Sequence, residues 1–149
     1  MARAASAAAS AVALDENFGR HNHAIATSHA DAQRYFNQGM ALVFGFNHEE
    51  AVRSFRKAAE LDPKAAMPHW GIAWALGPNY NLDVDDARAA QANAAIAQAT
   101  ALAATGPAVE RDYVAAMAIR FPQVANPDRA ALAVKYSAAM GELSRRYPD

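Results

Sequence analysis

SHADAQRYFNQGMALVFGFNHEEAVRSFRKAAELDP, residues 28–63, reads as two helices joined by a tight turn. Ser28-His29-Ala30-Asp31 has the form of a capping box, with a hydroxyl at the N-cap and a carboxylate three residues on. Beyond it, Phe36, Met40, Val43 and Phe44 fall on one helical face, and Tyr35, Gly39 and Leu42 on the adjoining one. Asn47-His48-Glu49-Glu50 is the next start signal, with Asn at the N-cap. The helix it opens buries Ala51, Phe55, Ala58 and Ala59 and stops at Asp62-Pro63. Helices joined by so short a turn must run antiparallel.

The same plan recurs downstream. Met67 to Leu76 reads as a helix with Pro68 in its first turn, ended by Gly77-Pro78. Asp83 or Asp85 caps a long alanine-rich helix to about Ala104, with Gly106 past its end. A fifth helix starts at Pro107, turns Val109, Tyr113 and Met117 inward and ends near Phe121-Pro122. A sixth follows Asn126-Pro127 and carries a stripe of Leu132, Tyr136, Met140 and Leu143. No strand pattern appears, so the fold class is all-α. The expected helices span about 29–46, 48–61, 65–76, 84–104, 107–120 and 127–146, with ends uncertain by ~2–4 residues.

Composition agrees. Of 149 residues, 53% are apolar, and much of that is alanine, the strongest helix former. A net charge of −1 provides no electrostatic footprint for nucleic acid or an anionic membrane. The absence of cysteine excludes disulfides, thiolate metal sites and thiol catalysis. Nothing approaches the roughly 20 apolar residues of a membrane helix. The start, MARAASAAASAVALDEN, lacks the leucine-type block of an export signal and reads as a leader or extended segment over 1–27. The helical domain occupies 28–149. A cytoplasmic location is expected, with a periplasmic or secreted one if the Ala-rich start is a leader remnant.

An internal period sets the architecture. Tyr35, Gln38, Gly39, Leu42, Ala51, Phe55, Ala58 and Pro63 follow the tetratricopeptide (TPR) register of roughly 34 residues, from which only Gln38 and Leu42 depart. One period on, His69, Ile72, Ala73 and Leu76 occupy the corresponding helix positions. Gly39 and Ala73 should let paired helices approach, and Phe55 should fill the space between pairs. The chain therefore resembles the TPR family. That resemblance implies a short right-handed α-solenoid of about three helix pairs.

The run Phe46 to Phe55 (FNHEEAVRSF), then Ala58 to Pro63, Ala66-Met67, Trp70-Gly71 and Gly77 to Asn81 (GPNYN), further resembles the N-terminal part of a family of large bacterial TPR proteins. The likeness is close over about 19–81. It implies that the chain is the N-terminal portion of a longer protein, with more repeats to follow.

In such a solenoid the first helix of each pair lines a concave face. Phe36, Met40, Phe44, Trp70 and Trp74 should form an apolar, aromatic groove there, with Gln33 beside them. The groove carries no lysine, unlike the clamps that grip acidic C-termini. Its expected occupant is a protein or peptide, the chain's own 1–27 segment, further C-terminal repeats, or a second copy in a homo-oligomer.

A second candidate is polar. His48 in the first turn and Asn79 and Asn81 one repeat later should share an edge, which His21 and His23 could reach. Imidazoles with carboxylates suit a divalent transition metal. Alternatively, His48 fastens neighbouring turns by hydrogen bonds, the reading preferred for this chain. His29 and His69 read as structural. There is no Gly-rich phosphate loop, His-Glu-x-x-His or Gly-x-Ser-x-Gly, and no catalytic residue is nominated. The leading expectation is an interaction or scaffold module. The alternative is a metal-binding or enzymatic TPR protein with a site near His48 and the Asn79/Asn81 turn.

Overall fold

A computed structural model describes residues 12–148, so the leader reading for 1–11 lies outside the described residues. Six α-helices follow a 3₁₀ turn at Glu16–Phe18: α1 (Ala30–Phe44), α2 (His48–Leu61), α3 (Met67–Leu76), α4 (Asp86–Ala103), α5 (Ala108–Arg120) and α6 (Arg129–Arg146). No strand occurs among the described residues. The protein is all-α.

Most helix starts obey the local signals. Asn47 accepts from Glu50 N at 3.4 Å, Asp85 from Arg88 N at 2.8 Å and Asp128 from Ala131 N at 3.0 Å. Asp85, not Asp83, caps α4. The α1 start departs from expectation. His29 is its N-cap residue, without a side-chain cap bond, and the Ser28–Asp31 box does not form. Asp31 pairs with Arg34 instead, and His29 N donates to Thr27 Oγ1.

The reason lies across the fold. Asp62, at the C-terminal end of α2, accepts from Thr27 Oγ1 at 2.6 Å and from Lys64 N at 3.1 Å. The Thr27 hydroxyl, aided by the Lys64 and Ser28 amides, holds its carboxyl below the usual range. One carboxylate thus ties the entry of α1 to the exit of α2.

Each helix packs on its chain neighbours, and α1 and α5 both pack on α3. Phe55 of α2 is fully buried where α1, α2 and α3 meet. Two glycines make room for its ring. A Cβ built at Gly39 of α1 would lie 2.5 Å from Phe55 Cε1, and one at Gly71 of α3 would lie 2.6 Å from Cδ1. Gly39 plays its expected part; on the other side the ring is met by Gly71, two residues before Ala73. The α6 stripe is thinner than its pattern suggests, since only Leu143 is fully buried.

The α1–α2 turn is a Schellman motif. Asn47 N donates to Leu42 O and Phe46 N to Val43 O. The left-handed position, ordinarily glycine, is held by Phe46 at φ 60°, a conformation that costs a non-glycine residue about 1–2 kcal/mol.

Candidate functional site

The aromatic residues expected in the groove form a row. Phe44 lies 5.5 Å from Trp74, Trp74 5.4 Å from Trp70, and Trp70 6.0 Å from Tyr113 of α5. His23 closes it, 5.8 Å from Tyr113 and 6.1 Å from Phe36. Phe36, Met40 and Trp70 are buried, Trp74 is half-buried and Phe44 is 66% exposed. Only the Phe44 end is open.

The strap, residues 12–28, runs along α1 and lays His23 over the Phe36 end of the row. Two glutamines of α1 hold it in the same way. Gln38 Oε1 accepts from Asp15 N at 2.8 Å while its Nε2 donates to Ala13 O at 2.9 Å. Gln33 Oε1 accepts from Ile25 N at 2.9 Å while its Nε2 donates to His23 O at 2.8 Å. In both, one carboxamide satisfies the C=O of residue n and the N–H of residue n+2, so it reads extended main chain and not side chains. Asn37 Oδ1 accepts from His23 N at 3.2 Å, and Tyr35 donates its hydroxyl to Val12 O at 2.9 Å.

The strap then crosses to α5. Ile25 enters the core at 8% exposure, and Ala26 N donates to Glu110 Oε1. Burial raises the Glu110 carboxyl above its ordinary range, against the opposing pull of the Ala26 amide and His23. Gln38, flagged in the sequence only as a departure from the repeat, is itself buried and also donates to Ser54 Oγ at 3.1 Å. Glu110 carried no signal of its own and Tyr113 only that of an inward-facing position, because their roles depend on a segment some ninety residues away in the chain.

The polar candidates are dispersed. His21 is exposed in a shallow cleft beside Arg20 and Arg34, His23 stacks in the groove, and His48 begins α2. Asn79 closes its own turn, accepting from Asn81 N at 2.9 Å and Leu82 N at 3.0 Å. Neither asparagine hydrogen-bonds His48. The bonds expected from His48 to the neighbouring turn do not form: both ring nitrogens are buried without a partner among the described residues. Burial, then the positive charge of Arg88, lowers its pKa. Among the described residues no group of three or more His, Asp or Glu side chains is arranged to hold a metal. Nor is any helix among them long and apolar enough to cross a membrane.

His69 is likewise held below the ordinary histidine range by burial. The unfolded chain protonates these rings as pH falls through about 6.5, and the folded state resists. Stability should therefore fall from pH 7 toward 5.5. Glu110 acts oppositely, taking its proton first in the folded state. His69→Gln should flatten the decline in unfolding midpoint; an unchanged decline would refute the assignment.

No family model, curated protein or solved structure matches the chain.

Proposed function

We propose that the protein is a TPR-like α-solenoid module of three helix pairs that binds extended polypeptide in its aromatic groove, with the strap as its resident occupant. The packing order supports the architecture, since each helix touches its neighbours and successive first helices touch one another. One observation carries the function: the Gln33 clamp on main chain beside the groove, a mode of holding that Gln38 repeats on the α2 side of α1. Such clamps suit any extended segment, while the Phe36–Tyr113 gap selects a flat side chain at the His23 place. A partner of this kind must displace the strap or join it at the open Phe44–Trp74 end.

The test uses the groove's tryptophans. A chain lacking residues 1–28 should show altered Trp70 and Trp74 emission, and a synthetic peptide of residues 12–28 should restore it. Gln33→Ala should weaken that peptide by about tenfold, the usual loss for a pair of hydrogen bonds at ~1 kcal/mol or less each. Equal emission with and without the strap, and no response to the peptide, would count against the reading.

A further inference from the structure

A second cleft, of about 610 Å³, lies away from the groove, formed by α2, the end of α3, the loop after it and the start of α4. We infer that it binds a small organic monoanion, a carboxylate with an aromatic or flat apolar body. Four independent features converge there.

The first is cationic. Arg56 and Arg88 line the cleft and have no carboxylate partner within 4.0 Å among the described residues. Arg56 gives one N–H to Gln91 Oε1 at 3.0 Å, and Arg88 gives one to Ala75 O at 3.3 Å. Each guanidinium keeps further donors in a planar fork matched to a carboxylate. Arg53, also on the wall, is already paired with Glu50. Glu49 at the rim disfavours a dianion, which sets a carboxylate ahead of a phosphate.

The second is His48, whose buried ring nitrogens have no hydrogen-bond partner among the described residues, whereas buried polar atoms are ordinarily satisfied. Arg88 is the charge that bears on it. The third is apolar wall, from Val52, Leu76 and Leu82. The fourth is Phe46. It holds a left-handed conformation where glycine would be unstrained, yet its ring is 63% exposed. It stands edge-on to His48, 6.2 Å between centroids. Folding derives little burial from this ring, so strain kept for it signals a use beyond folding. Arg88 and Arg56 engage the carboxylate, while Phe46 and Leu82 flank the ligand body.

The probe is phenylacetate, titrated into the full chain and followed by two-dimensional NMR. Saturable shifts should appear at Phe46, His48 and Arg88. Arg88→Gln should weaken binding by about tenfold or more, and Arg56→Gln, the second variant, should also weaken it, each with its remaining spectrum native. Phe46→Gly should raise the unfolding midpoint and yet weaken the probe, a combination that a merely structural ring would not produce. Benzyl alcohol and acetate should each bind at least tenfold more weakly. The inference is overturned by the absence of saturable shifts or by affinity indifferent to both arginine variants. It is equally overturned if acetate or inorganic phosphate binds as well as phenylacetate, the mark of an adventitious ion only. None of these outcomes depends on the groove.

Discussion

Phe55→Ala should destabilise the protein by about 3–5 kcal/mol, the range for truncating a large buried aromatic. The upper half is expected because the site resists collapse. The ring is flanked by Gly39 and Gly71, which have no side chains to move into the space, and by Phe36 at 5.4 Å, itself fully buried. Three helices lose their shared contact at once. Phe55→Leu, which keeps most of the volume, should cost less than half as much. Chemical denaturation measures both, and equal midpoints for wild type and Phe55→Ala would show that the ring does not hold these helices together.

Gly71→Ala should cost about 1–3 kcal/mol, the penalty for overpacking a well-filled core. Alanine is the better helix former, so on an exposed helix the same change would stabilise. Here the new methyl would fall 2.6 Å from the Phe55 ring, and retreat is blocked at Gly39, where a Cβ would be 2.5 Å away. The sign of the change therefore reports the packing. The two sites must also couple. In the Phe55→Ala background the Gly71 methyl enters a cavity, so the double variant should be more stable than the sum of the single losses predicts. Additive losses would show that Gly71 acts only through its own helix.

The strap accounts for a departure that the repeat pattern leaves unexplained. A leucine at position 38 would fill the same space without reading main chain. The buried carboxamide instead ties Ala13 and Asp15 to Ser54. Gln38 was thus visible as a departure from the register the sequence resembles, but its partners were not. The same holds for Phe46. Its place after Gly45 is plain in the sequence, whereas its left-handed backbone emerges only from the Schellman bonds to Leu42 and Val43.

By itself the sequence determined the six helices, the Asn47 cap and the burial of Phe55. Those features rest on signals that act within a turn or two: Asn47 as a cap, Pro63 and Gly77-Pro78 as breakers, and apolar side chains at helical spacing. Only the tertiary structure decided which residues meet across the chain. It put Gly71 against the ring, sent Thr27 to Asp62 in place of a local capping box, and set His21, His23 and His48 in three separate surroundings. It also laid residues 12–28 across α1 and α5. Such meetings depend on how several helices are inclined and spaced, and each carboxamide, hydroxyl or imidazole has many partners of suitable chemistry. Local spacing gives a side chain its face on a helix; the packing of the other helices determines what that face encounters.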